Sequence, residues 1–387
     1  MKNNVLIVGG GMVGAAAAVE LARQGCQVTV IENNPIDPKA ILEGEQVDIR
    51  VSAINRFSEA LLDKLGAMPL IRASRNAPYH QLEAYERCSE HLVFDRADVS
   101  TSHLGHLVEN SIIQASLWSQ FEDNDIQVET VTEAPIAIEQ HLSSIDLVYP
   151  QQRFSADLVI AADGGRSALR SLAGIGVTGW QYQQHCMGIL IKLDGPQQVK
   201  TWQEFKPTGP IAFLPMQAPY ANLIWYHHGA ELKRLKGLSN EALKQEILAH
   251  FFDLPGDFTV EQSAVFPLAR QHANQYSKGR LVLVGDAAHT INPLAGQGVN
   301  LGFKDVAALG GCLQGFDDVG ELARLHQYEK MRRKDNLLMM SMMDACYFGF
   351  SNEIKPLKSL RSLALKVANK AGPIKREVLK HAMGGSF

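Results

Sequence analysis

Cysteine is scarce in this chain and widely scattered. Cys26, Cys88, Cys186, Cys312 and Cys346 are the only five in 387 residues. None form a Cys-x-x-Cys pair, and an odd, dispersed set makes no disulfide framework. They read as small buried hydrophobes of a protein kept in a reducing cytoplasm. Positive charge is not in excess either. The 37 Lys and Arg fall short of the 41 Asp and Glu, for a net charge of -4. That leaves no basic field to attract nucleic acid. No stretch reaches the roughly 18 uninterrupted apolar residues of a membrane span. Lys2 and the apolar run from Val5 to Val19 have the outline of a leader, but Gly9, Gly10, Gly11 and Gly14 interrupt it. The run then enters Glu20 and Arg23, so folded structure is expected there. Internal repeats and low-complexity linkers are missing. His103-x-x-His106 and His227-His228 have no adjacent cysteine or acidic cluster, so no metal site is expected. No Ser/His/Asp set points to hydrolysis.

What is present is ordinary globular material. Hydrophobic residues make up 46% and charged residues 20%, ample for a buried core in two or three domains. Val5 to Val8 reads as a strand, Gly14 to Gln24 as an Ala-rich helix and Gln27 to Ile31 as a second strand, which is a βαβ opening. Leu158 to Ala161 before Asp163-Gly164, and Leu281 to Val284 before Gly285-Asp286, repeat one template: apolar strand, Gly and Asp, small-residue helix start. From Gln181 to Ala269 the texture is strand-like, with one helix near Asn240 to Phe252; Tyr79 to Val93 also alternates. After Leu301 the pattern is helical. The expected organisation is therefore interleaved. Residues 1–75, 100–180 and 275–345 form an α/β nucleotide-binding unit, 76–99 and 181–274 an inserted β-rich unit, and 346–387 a C-terminal helical segment.

The first strand–helix junction carries Gly9-x-Gly11-x-x-Gly14. Glycine there permits a tight turn, close approach of backbone to a pyrophosphate, and helix–strand packing. The helix N-terminus offers free N–H groups and partial positive charge to phosphate. Glu32 ends the second strand at the spacing of the acid that binds a ribose hydroxyl. Together these predict dinucleotide binding without choosing between nicotinamide and flavin.

Longer motifs make that choice. The run Asp157-Leu-Val-Ile-Ala-Ala-Asp163-Gly164-Gly-Arg-Ser167 resembles the Asp-Gly motif of flavoprotein hydroxylases, and Gly285-Asp286-Ala-Ala-His289 their Gly-Asp motif. Asn292-Pro293-Leu-Ala-Gly296-Gln297-Gly298-Val-Asn300-Leu-Gly302-Phe-Lys-Asp305 resembles the signature of the ubiquinone-biosynthesis hydroxylases. Asp48-Ile-Arg50-Val-Ser52-Ala53 and Leu104-Gly105-His-Leu-Val-Glu109-Asn110 also match that family. Asn292 departs from it, since many members carry His before the proline. Gly349-Phe-Ser-Asn352, Ala371-Gly372 and Lys375-Arg376 are similar to the branch acting on 2-polyprenyl-3-methyl-6-methoxy-1,4-benzoquinol.

The resemblance implies a para-hydroxybenzoate-hydroxylase-like fold and bound FAD. It implies that NAD(P)H reduces the flavin, that O2 adds at C4a as a hydroperoxide, and that an electron-rich quinol ring is hydroxylated. Asp286 would meet the ribityl chain, and the N–H groups at Gly296 and Gly298 the flavin edge that turns anionic on reduction. Pro293 would fix the loop beside the ring, Arg50 would bring charge near the phosphates, and Asn110 would face the cofactor from a helix. Asp163, Gly164, Gly285, Gln297 and Asn300 complete the implied cofactor set. Phe213 and Pro215 are the substrate candidates, because Gly209-Pro210-Ile-Ala-Phe213-Leu-Pro215 is similar to the family strand over the flavin. No His or Cys stands where a covalent flavin link would form, so FAD is expected to be non-covalent. Two other readings stay open: an FAD reductase of the same fold that uses no O2, and a non-catalytic FAD-bound subunit of a biosynthetic complex.

The tail adds one more expectation. Lys355, Lys358, Arg361, Lys366, Lys370, Lys375, Arg376 and Lys380 face one acid, Glu377, while Leu357, Leu360, Leu363, Ala364, Val367 and Ala371 recur at helical spacing. That is the pattern of a basic amphipathic helix. It suits contact with an anionic inner-membrane face or a partner protein of ubiquinone biosynthesis. It equally suits a helix packed on the body with solvated lysines.

Overall fold

A computed structural model describes residues 2–86, 91–292, 296, 298–350, 376, 377, 379 and 383–385. At its centre is a six-stranded sheet. Its order is Ser277–Lys278, Leu281–Leu283, Leu158–Ala161, Asn4–Val8, Gln27–Glu32 and Gln127–Thr130. All neighbours are parallel except the first pair. Parallel sheets are covered on both faces, so their strands are apolar throughout rather than alternating. Val5, Leu6 and Ile7, and all of Leu158–Ala161, are accordingly buried. The helix Met12–Arg23 lies against the sheet through Ala15, Ala16, Ala17 and Ala18, whose small side chains bring its axis close. Gly298–Leu313 packs on that helix in turn.

A second sheet has eight strands. Its order is His289–Thr290, Phe258–Ala273, Val177–Leu193, Tyr220–His228, Ile211–Pro215, Lys200–Phe205, Gln81–Glu86 and Leu92–Asp95. Its two long central strands pair antiparallel from Val177↔Ala273 to Leu193↔Phe258, with a register shift between Gln181 and His185. Alternation divides its side chains cleanly. Met187, Ile189, Ile191, Trp202, Phe213, Leu223 and Trp225 point one way, into a core closed by Leu232, Leu235, Leu243 and Ile247 of the helices Gly229–Lys236 and Asn240–His250 and by Phe251 just beyond them. Cys186, Leu190, Asn222 and Tyr226 stand at the intervening positions and face the other way.

Two three-stranded sheets complete the β structure. One is Val51–Asn55, Gly105–Glu109 and Asn76–Tyr79; the other is Arg153–Ala156, Ile145–Val148 and Ala137–Gln140. The helix Leu322–Phe350 runs 29 residues. It buries Leu325, Tyr328, Arg332, Asn336, Met340 and Tyr347, a single stripe at helical spacing. Among the described residues, no helix is long and apolar enough to cross a membrane. Most of the expected basic tail helix, from Lys355 to Lys375, lies outside the described residues.

Candidate functional site

Three turns meet at the C-terminal ends of neighbouring parallel strands, where ligands of open α/β sheets bind. The first follows Asn4–Val8. Gly9 has φ +102°, and a Cβ on it would collide with the carbonyl of Ala162. A Cβ on Gly14 would collide with the Gly9 carbonyl, so helix and turn touch as only glycine allows. Gly11 differs: nothing lies within 4 Å of where its Cβ would stand. It is the N-cap of Met12–Arg23 and offers no side-chain cap, so the helix's first N–H groups face open space. Glu32 arrives from the next strand. Its carboxylate accepts from Gly10 N at 2.6 Å and Asn34 N at 2.9 Å, which fixes it beside the turn with lone pairs to spare.

The second turn holds Asp163 and Gly164. Asp163 accepts from Leu169 N at 3.2 Å, while its other oxygen is buried without a hydrogen-bond partner among the described residues. The space where a Gly164 Cβ would stand is open. The third turn holds Gly285, at φ +59°, and Asp286. Asp286 exposes its side chain to water, yet protein crowds it closely enough for burial to raise its pKa, with Asp305 adding and His289 opposing. Exposure and crowding together describe a carboxylate at the bottom of a cleft. Arg170 stitches the second and third turns. Its guanidinium donates to Gly165 O at 2.8 Å and Ala287 O at 2.7 Å. Arg170 is buried, 7% exposed.

Behind the third turn lies a fully buried carboxylate, Asp305. It accepts from Gly285 N at 3.0 Å, Arg332 Nε at 2.8 Å and Asn336 Nδ2 at 3.1 Å, and lies 2.5 Å from His289 Nε2. Burial alone would raise its pKa, but His289 and Arg332 hold it down to about 2. The long helix thus grips the Gly-Asp turn through one anion. The sequence carried no sign of this, because Arg332 is remote from the motif.

The other predicted residues gather along one side. Gly296 packs against Ala53, with 3.1 Å between Ala53 Cβ and the place of a Gly296 Cβ, and Gly298 opens the helix Gly298–Leu313. Asn300 is engaged by protein at both ends of its amide. It donates to Ala53 O at 2.9 Å and accepts from Asn55 N at 3.0 Å and Ser58 Oγ at 2.6 Å. It clamps helix to strand. Asn110 accepts from Ser52 Oγ at 2.7 Å, and its N–H donates to Arg50 O at 2.9 Å. The Arg50 side chain is 73% exposed and pairs with Asp48 at 3.7 Å. Phe213 and Pro215 do not join this group. Phe213 lies beside Trp202 in the core under the helices, and Pro215 shares its sheet face, away from Asn222 and Tyr226. Pro293 and Gln297 lie outside the described residues.

The two histidines of His103-x-x-His106 do meet an acid, Glu59, from a helix distant in sequence. Arg56 Nη1 bonds Glu59 and lies 2.6 Å from His103 Nε2, so an arginine's charge fills the centre of the cluster.

The open Gly11 helix end and the fixed Glu32 offer donors and an acceptor of the kind a dinucleotide needs, and Asp286 and Arg50 present exposed charges. In sequence, residues 2–340 match the family model described as FAD binding domain. A 3-demethoxyubiquinol 3-hydroxylase of Escherichia coli is 43% identical over 386 residues, covering 98% of both chains. The ubiquinone hydroxylase UbiL of Rhodospirillum rubrum is 33% identical over 98% of this chain and 89% of its own. Among solved structures, the p-nitrophenol 4-monooxygenase PnpA from Pseudomonas putida superposes with TM-score 0.80 at 19% identity, over 100% of this chain and 99% of that one. A Klebsiella pneumoniae HpxO variant complexed with FAD gives 0.76 at 17% identity, with 98% of each chain covered. At such identities these two speak for the fold.

Proposed function

The chain belongs to the FAD-binding-domain family, in its ubiquinone-biosynthesis hydroxylase branch, and on that premise we propose that it hydroxylates the ring of a prenylated benzoquinol with FAD, NAD(P)H and O2. The observation that carries this reading is 43% identity, along 98% of both chains, to a 3-demethoxyubiquinol 3-hydroxylase. When bound, FAD supplies electron transfer and oxygen activation. The protein's share is binding, orientation and exclusion of water.

In this reading Gly9, Gly11 and Gly14 take the pyrophosphate on the helix end, and Glu32 takes the adenosine ribose. Asp286 accepts from the ribityl hydroxyls, and Arg50, Asn110, Asp163 and Gly164 line the cofactor site. Gly285, Gly296, Gly298 and Asn300 shape it. Pro293 and Gln297 are assigned to the flavin's neighbourhood by motif alone. Exposed Leu337, Leu338, Met342 and Phe348 near the end of Leu322–Phe350, followed by the basic tail sequence, support contact with the anionic bilayer that holds the substrate.

The test is turnover. FAD-loaded protein given NAD(P)H, O2 and a short-chain benzoquinol should consume O2 and yield a product heavier by one oxygen atom, read by mass spectrometry. NAD(P)H oxidation coupled to substrate reduction, without O2 uptake, would support the reductase alternative instead.

A further inference from the structure

Asn222 stands on the face of the large sheet that looks toward Ile49 and the Arg50 loop. It is 1% exposed. Its Nδ2 donates to Ile49 O. Its Oδ1 is buried with no hydrogen-bond partner among the described residues. Buried polar groups are nearly always paired, and an orphan calls for an explanation.

No described side chain or backbone group donates to that oxygen. Asn222 pairs across the sheet with Leu190 and Leu214. Next along the same face, on one side, are Gly188, Ile224 and Ala212, which bring only hydrocarbon or no side chain; on the other side are Lys192 and Tyr220, neither of which bonds the orphan oxygen. A Cβ placed on Gly188 would stand 3.7 Å from Asn222 Oδ1 and 3.8 Å from the Ile49 side chain, so Gly188 leaves that oxygen uncrowded. Flipping the amide would not help. It would set Oδ1 against the Ile49 carbonyl, acceptor on acceptor. The Ile49 carbonyl therefore locks Asn222 with its oxygen outward. The next residue is Arg50, whose carbonyl accepts from Asn110 N, so the orphan lies next to two residues assigned above to the cofactor.

We infer that Asn222 Oδ1 receives a ring hydroxyl of the substrate and makes the site selective for the reduced quinol over the oxidised quinone. This rests on the quinol-hydroxylase reading. A benzoquinol brings O–H donors. A benzoquinone offers two carbonyl acceptors, and one of these facing Asn222 Oδ1 would leave two buried acceptors opposed. Sites built to pair a hydroxyl reject analogues that lack it. The selectivity is useful because only the electron-rich quinol reacts with an electrophilic oxygen.

The experiment titrates FAD-loaded protein anaerobically with a short-chain 1,4-benzoquinol and with its quinone, following the flavin absorbance. Wild type should bind the quinol about ten- to hundredfold more tightly, the worth of one buried hydrogen bond. Asn222→Leu, of similar volume, should shrink that ratio to about threefold or less, mainly by losing quinol affinity. Its FAD content and melting temperature serve as the folding control. Gly188→Ala, whose methyl makes only ordinary contacts, is a second variant. It should weaken quinol binding, because the methyl stands before the same oxygen. A wild-type ratio near one, or a ratio unchanged in folded Asn222→Leu, overturns the inference while quinol binding stands. Wild type that binds neither form overturns the quinol reading and the inference with it.

Discussion

Asp305→Asn removes one charge and keeps the shape, so its cost can be worked from the contacts. The carboxylate is 0% exposed and has four neighbours: Gly285 N, His289 Nε2, Arg332 Nε and Asn336 Nδ2. An amide can keep its oxygen toward Arg332 and Asn336. Its NH2 then faces Gly285 N–H, donor against donor, and the buried Arg332 loses its buried counter-ion and keeps only the exposed Asp335. Breaking one partner of a buried pair costs about 3–5 kcal/mol. That is a large share of a domain stability of about 5–15 kcal/mol. The assay is urea unfolding at pH 7, followed by circular dichroism, with and without saturating FAD. The apo protein should lose the full amount. The FAD-loaded protein should lose more, because Gly285 presents Asp286, and cofactor that binds less tightly stabilises less. Apo stability lowered by under about 1 kcal/mol would refute the account of the network. An equal loss with and without FAD would show that the anion supports the fold but does not steer the Gly-Asp turn.

Asp286→Ala should leave the fold intact and weaken FAD about ten- to hundredfold, the loss of one charge-assisted hydrogen bond; a fluorescence titration giving wild-type affinity would remove Asp286 from the site. Stability should also fall in mild acid. His106 and His272, 5% and 3% exposed, are lowered to about 4, His106 by burial that outweighs the opposing charge of Glu59, His272 by burial aided by the charges of Arg333, His289 and Arg270. Unfolded, each takes a proton near pH 6.5. Their contribution is therefore complete above pH 6.5 and is lost as pH drops toward 4, by about 2 kcal/mol for each histidine at pH 5. Glu59 and Asp305, both held to about 2, keep their contributions through that window and do not offset the loss. Urea midpoints that match at pH 7 and pH 5 would contradict this, and His272→Gln should flatten the slope.

The local part of the site was legible because its physics is local. Gly9, Gly11, Gly14 and Glu32 lie within one βαβ unit, where spacing alone sets the turn and the acid. Asp163 and Asp286 could be read from strand ends for the same reason. What escaped depends on partners far away in the chain. Arg332 meets Asp305 from another helix, Arg170 reaches Ala287, and Glu59 joins His103 and His106. Phe213 shows a second kind of blindness. Alternation reveals that a strand has two faces, but not which one looks toward the cofactor. That was decided by the helices Gly229–Lys236 and Asn240–His250, which claim the face bearing Phe213 and leave Asn222 on the other.

The interleaving of the two large sheets also puts a clock on assembly. Leu158–Ala161 and Leu281–Leu283 are hydrogen-bonded neighbours in the six-stranded sheet, yet five of the eight strands of the larger sheet are encoded between them. At a synthesis rate of about 5–20 residues per second, the roughly 120 intervening residues take about 6–24 s to make. Through that interval Leu158–Ala161 has one apolar edge without its neighbour. The strands Val177–Leu193 and Phe258–Ala273 meanwhile have time to pair, and their pairing brings Val177 to Ala273. That shortens the loop still to be closed before Leu281–Leu283 arrives. On the ribosome, the inserted sheet is thus the jig on which the nucleotide sheet is finished.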